Sequence, residues 1–195
     1  MNDFYRLDLP VTSDQAGRLA LLQDLFSQAC NLLALEVQAG RTWSRIALHH
    51  ACYEDLRARF PDLGSQMACN AVYAVSKTCR LVFQGSSSPL RVARNRSTLN
   101  QRPLLRFAAD GPVYFDRKTL TVRQRELSMF TTEGRLTIPM VFELADFQSI
   151  AQGSWREATL TRTATDRYQI TIEIRPNDET TTSASPASTT LREHA

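Results

Sequence analysis

The hydrophobic period of this sequence changes once, midway along the chain, and that change constrains the fold more than any other feature. Between residues 14 and 83 apolar residues recur at spacings of three and four. From about residue 104 onward they alternate with polar ones. The first period is that of an amphipathic helix and the second that of a half-buried strand. From Asp14 to Ala39 the helical stripe is Leu19, Leu22, Leu25, Phe26, Ala29, Leu32, Leu33 and Val37, with Ser13 as the expected N-cap and Gly40 as the stop. A weaker stripe, Ile46, Leu48, His49, Cys52, Tyr53 and Leu56, predicts a second helix from about Ser44 to Phe60, ended by Pro61. A third follows Gly64, with Ser65 as expected cap, and carries Met67, Ala71, Ala74, Val75, Thr78, Leu81 and Val82 as far as about Phe83. Three helices with short connections imply a small bundle.

Strand chemistry lies on both sides of that bundle. Residues 3–11, DFYRLDLPV, read as a short strand. After the loop GSSSP come LLRF, VYF, LTVRQ, ELSMF and RLTIPMVF, the last preceded by a turn at Glu133-Gly134. A polar segment then leads to WREATLTRT and RYQITIEI, a hairpin joined at Ala164–Asp166. Pairing of the first strand with these late ones makes the helices an insertion into a β structure; without that pairing the chain is a bundle followed by a sandwich. Both are α+β arrangements. The tail from Pro176 is rich in Ser and Thr, poor in apolar residues, and expected to be disordered.

Composition narrows the classes. An apolar fraction of 43% suits a globular chain. No run approaches the roughly 18 apolar residues of a membrane span, and the N-terminus MNDFYRLDLP lacks a signal-peptide pattern. A soluble, cytoplasmic protein is the expectation. Cys30, Cys52, Cys69 and Cys79 form no C-x-x-C pair and read as buried thiols. His49-His50 with Cys52 resembles a fragment of a metal site, but adjacent helical residues point in different directions. There is no glycine-rich phosphate loop, H-E-x-x-H or G-x-S-x-G. The acids of the second half, among them Asp110, Asp116, Glu143, Glu157 and Glu173, stand apart, most of them at turns or strand ends. Metal-dependent hydrolysis needs several carboxylates converging on one ion. No catalytic residue, metal or cofactor is expected.

Net charge is only +3, but it is unevenly placed. Lys77, Arg80, Arg91, Arg94, Arg96, Arg102, Arg106, Arg117, Lys118, Arg123 and Arg125 are opposed in that span by Asp110, Asp116 and Glu126 alone. Guanidinium groups fit phosphates and guanine edges, and Phe83, Phe107, Tyr114, Phe115 and Phe130 lie nearby in sequence. Nucleic-acid binding is the function this pattern suggests.

Four stretches also carry a family resemblance. They are the first helix, ALLQDLFSQACNLLALEV after Gln15; the segment FPDLGSQMACNAVYAVSKTCRLVF; the strands PVYFDRKTLTV and LSMFTTEGRLTIPM; and the closing YQITIEI. In this order they resemble the N-terminal half of TnpB, the transposon-encoded RNA-guided nuclease related to type V CRISPR effectors. The likeness runs over about residues 3–175. It implies an antiparallel wedge-like β-barrel of about seven strands from residues 1–12 and 103–175, with a helical recognition insert at 13–85, a basic linker at 86–102 and a tail at 176–195. The implied function is guide-RNA binding and reading of a short target motif in double-stranded DNA, without the RuvC-like nuclease half. The chain would then act with a separately encoded nuclease or as a regulator. Asn31, Gln66 and Asn70 would face the DNA motif, Tyr73, Lys77 and Arg80 its backbone, and the arginines from Arg91 to Arg125 RNA or heteroduplex phosphates. The alternatives are a protein–protein adaptor or inhibitor acting through the helical face, and a transposon remnant.

Overall fold

The computed structural model describes residues 3–40, 42–91, 103–164 and 166–175. Strand β1 (Asp3–Leu9) precedes helices α1 (Ser13–Gly40), α2 (Arg45–Arg59) and α3 (Gly64–Gln84). Strands β2 (Val113–Phe115), β3 (Leu120–Arg123), β4 (Glu126–Thr131) and β5 (Gly134–Pro139) follow, then helix α4 (Leu144–Gln152) and strands β6 (Ser154–Ala164) and β7 (Arg167–Arg175). The chain is α+β, as its two hydrophobic periods imply. The expected tail and the linker residues 92–102, with Arg94, Arg96 and Arg102, lie outside the described residues.

The first strand does return to the last. β1 pairs antiparallel with β7 in register Asp3↔Ile174 to Leu9↔Tyr168, so the helices are inserted between two neighbouring strands. The expected barrel is corrected, however. The strands form two antiparallel sheets, β1-β7-β6-β2 and β3-β4-β5, and among the described residues no closed barrel forms. The split falls after Phe115, where β2 turns back on the edge of β6 and the chain leaves for a separate meander.

One apolar core serves helices and sheets together. Tyr168, Ile170, Ile172 and Ile174 alternate inward from β7, beside Ala158 and Leu160 of β6 and Val113 and Phe115 of β2. Leu19, Leu22, Phe26 and Leu33 of α1 and Met67, Ala71, Val75 and Phe83 of α3 join the same cluster. Burial of each large aliphatic side chain contributes about 1.5–3 kcal/mol. Tyr168 pins the layers together, its hydroxyl donating to the Ala16 carbonyl at 3.2 Å.

Two caps differ from the expected ones. α1 opens on a reciprocal box, in which the Gln15 backbone N–H donates to Thr12 Oγ1 at 3.3 Å and the Thr12 N–H to Gln15 Oε1 at 3.0 Å. Thr12, not Ser13, is the capping residue. α3 starts at Gly64, with φ of 70° after the 3₁₀ turn Pro61–Leu63, and Ser65 lies inside its first turn rather than capping it. Glycine suits that left-handed conformation. α4 falls in the segment read as merely polar, and its one buried side chain is Ile150. LLRF, expected as a strand, joins no ladder. Side chains of α1 hold the strip around it instead: Gln23 Nε2 donates to the carbonyls of Asp110 at 3.0 Å and Gly111 at 2.8 Å, and Asn31 grips Phe107.

Candidate nucleic-acid interface

The polar residues expected on the recognition helices turn out to serve the fold. Asn31 donates from Nδ2 to the Phe107 carbonyl at 2.9 Å and accepts from the Phe107 N–H at 2.8 Å. Gln66 Nε2 donates to Asp116 Oδ2 at 2.5 Å. Asn70 is buried, its Nδ2 3.3 Å from Thr119 Oγ1 and 3.6 Å from Met67 Sδ. These three amides tie α1 and α3 to the segment 107–119. Asn31 and Gln66 are half-buried at these contacts, and Asn70 is buried.

Tyr73 and Lys77 sit one helical turn apart on α3 and meet one carboxylate of β6. The Tyr73 hydroxyl donates to Glu157 Oε2 at 2.6 Å, and Lys77 Nζ pairs with Glu157 Oε1. Lys77 also stands 5.1 Å from the centre of the Tyr114 ring, which meets Tyr73 edge-on at 5.8 Å. Burial, then the hydrogen bond to Glu157 and its charge, push the Tyr73 phenol well above its ordinary range. Burial, followed by the Glu157 charge, raises Tyr114 to about 12. Both rings are therefore protonated donors at neutral pH. Lys77 is neutralised by its partner and offers a polyanion little net charge.

The arginines divide in the same way. Arg117 donates to the Gly153 carbonyl and lies 5.0 Å over the Trp155 ring. Arg123 is paired with Glu126 at 3.2 Å. Arg91, Arg106, Lys118 and Arg125 are exposed and take part in no ion pair among the described residues. Of the described cations in that span, these four and Arg80 are thus exposed and outside any ion pair.

Arg80 belongs to a site that the sequence pattern did not single out. The α1–α2 connection and α3 enclose an open notch of about 450 Å³ lined by Thr42, Trp43, Ser44, Arg45, Ile46, Ser76 and Arg80. The Arg45 guanidinium lies 5.4 Å from the Tyr73 ring centre, and Arg80 Nε donates to the Ser76 carbonyl at 3.4 Å. Trp43 packs on Phe83 with ring centres 5.5 Å apart. Neither Arg45 nor Arg80 is in an ion pair among the described residues. Two exposed guanidiniums beside hydroxyls and an indole provide donors for phosphate oxygens. The signal for this site was the run RTWSR at 41–45, an aromatic between two arginines, which fell outside the arginine-rich span.

Other chemistry is placed plainly. His49 stacks on Tyr53 at 4.7 Å while His50 is exposed. The four cysteines are free thiols, and burial holds Cys30 and Cys52 above their usual range. Among the described residues no group of three or more His, Cys, Asp or Glu side chains is placed to hold a metal ion. No described helix is long and apolar enough to cross a membrane. The fold and notch define an α+β chain with a small cationic, aromatic-rimmed concavity. Comparison with protein-family models and with characterised proteins returns no match for it.

Proposed function

We propose that this chain binds nucleic acid through the notch between the α1–α2 connection and α3, with no chemistry of its own. The observation that carries the reading is the pair Arg45 and Arg80, exposed on one concavity and compensated by no carboxylate among the described residues. Other cations in no ion pair among the described residues, including Arg91, Arg106, Lys118 and Arg125, add a diffuse positive field that draws in a polyanion. Together with the TnpB-like order of the sequence motifs, this favours a structured RNA or a DNA duplex as ligand. In that reading the chain is the guide-binding half of an RNA-guided system and works with a separately encoded nuclease or as a regulator.

The test is fluorescence anisotropy of the full chain with labelled hairpin RNA, single-stranded RNA and duplex DNA across a series of salt concentrations. A polyanion bound through phosphates loses affinity linearly in log–log form, with a slope of roughly 0.7–0.9 per phosphate contact. A slope equivalent to two or more contacts is the expected result. Absence of binding at low salt, or binding that salt does not weaken, rejects the proposal.

A further inference from the structure

A second concavity lies on a different part of the molecule and has the opposite character. It is a space of about 390 Å³ between α1, α3 and the strip that connects α3 to β2. Phe26 and Cys30 form one wall, Ala74 and Thr78 another, and Phe107 and Tyr114 a third. Its existence has a mechanical cause. The strip joins no sheet and is suspended on two amide struts, Gln23 to the Asp110 and Gly111 carbonyls and Asn31 to Phe107. Those hydrogen bonds fix the strip at a set height above α1. The residues facing the gap, Ala74, Ala108 and Gly111, are too small to fill it. Close-packed interiors leave few voids of this size, whereas sites for small organic ligands fall in the range of about 300–1,000 Å³.

The lining specifies what fits. It is mostly apolar and aromatic, and its polar groups are few: the Thr78 and Ser27 hydroxyls, the Tyr114 phenol, the Cys30 thiol and Arg106. Ser27 Oγ is already spent on the Asp24 carbonyl at 2.8 Å. Arg106 is exposed, contributes to the lining and is in no ion pair among the described residues. We infer that this cavity binds a small amphipathic anion, with an apolar body lodged between Phe26, Phe107 and Tyr114 and a single carboxylate or sulfonate held by Arg106. The nucleic-acid reading rests on a different concavity, the notch of Arg45 and Arg80, and shares with this one only the charge of Arg106.

The probe is 1-anilinonaphthalene-8-sulfonate, titrated into the full chain and competed with decanoate, 2-naphthoate or adenosine monophosphate. Saturable one-to-one binding with enhanced fluorescence, displaced by decanoate or naphthoate, is expected. The two competitors separate an aliphatic from an aromatic body, and either satisfies the proposal. Arg106→Glu, a change at an exposed position, should weaken the probe by about tenfold or more, the scale of one charge-assisted hydrogen bond. Ala74→Leu should occlude the space and abolish binding while the melting transition measured by circular dichroism stays cooperative. If Ala74→Leu does not fold, the Arg106→Glu result decides. Non-saturable binding, binding indifferent to Arg106→Glu, or displacement by the nucleotide and not by decanoate or naphthoate overturns the proposal.

Discussion

Asn31 and the backbone of Phe107 form a two-bond amide pair, donor to carbonyl at 2.9 Å and N–H to acceptor at 2.8 Å, across 76 residues of sequence. The pair substitutes for the β ladder that LLRF lacks. Asn31→Ala leaves a partly buried N–H and C=O without partners, a loss of about 1–3 kcal/mol. Urea unfolding should show that loss, while nucleic-acid affinity of the folded protein stays unchanged. A variant of full stability with lost affinity would return Asn31 to the binding surface.

Glu157 is shared between Tyr73 and Lys77, and its side chain is 13% exposed against 26% for Lys77. Removing the carboxylate strands the ammonium in a half-buried place. Glu157→Ala should lower stability by about 1–3 kcal/mol, short of the loss for a fully buried pair because solvent still reaches Lys77. A double-mutant cycle with Lys77→Ala should give a coupling of at least about 0.5 kcal/mol. Additive effects would mean that the contact is incidental.

The raised phenols make stability depend on alkaline pH. Tyr114 is lifted by burial from an ordinary 10 to about 12, and Tyr73 is lifted in the same direction. A group whose folded pKa lies above its unfolded value contributes stability in full below the unfolded value and loses it as pH climbs through the folded one. The urea midpoint should therefore hold up to about pH 10 and fall between about 10 and 12. Tyr114→Phe should flatten part of that fall. An unchanged slope in this variant contradicts the burial assigned to the ring.

Gly153 closes α4 where no side chain fits. A Cβ there would stand 2.5 Å from both Ile174 Cγ2 and the Ser149 carbonyl oxygen. Its φ of −64° is ordinary, so the constraint is space rather than backbone conformation. Gly153→Ala should cost about 1–3 kcal/mol through forced displacement of β7 or α4, read as a lowered denaturation midpoint.

The helices and hairpins were legible because local periodicity encodes them. The stripes of α1 and α3 and the alternation of β6 and β7 each bury a continuous face, and Gly134 and Asp166 take the positive φ their turns need. What escaped was non-local or too short. α4 buries Ile150 alone, and one buried side chain makes no stripe. The division into two sheets depends on β2 choosing β6 as its neighbour, 45 residues away at Tyr114↔Thr159, which no local pattern specifies. The site followed the same rule. The density of cations was visible, but Lys77 meets its neutralising Glu157 from 80 residues away, and Arg117 finds Gly153 from 36. Arg45 and Arg80 lie 35 positions apart in sequence and line one notch only after α2 and α3 have packed.

The most direct measurement is the salt dependence of RNA binding by Arg45→Ala/Arg80→Ala, set against wild type and against Arg123→Ala/Arg125→Ala on the β3–β4 turn. The account predicts that the first pair lowers affinity at low salt and reduces the log–log slope by about 1 to 2, and that the second pair changes both far less. Equal losses from the two pairs, or an undiminished slope without Arg45 and Arg80, would contradict it.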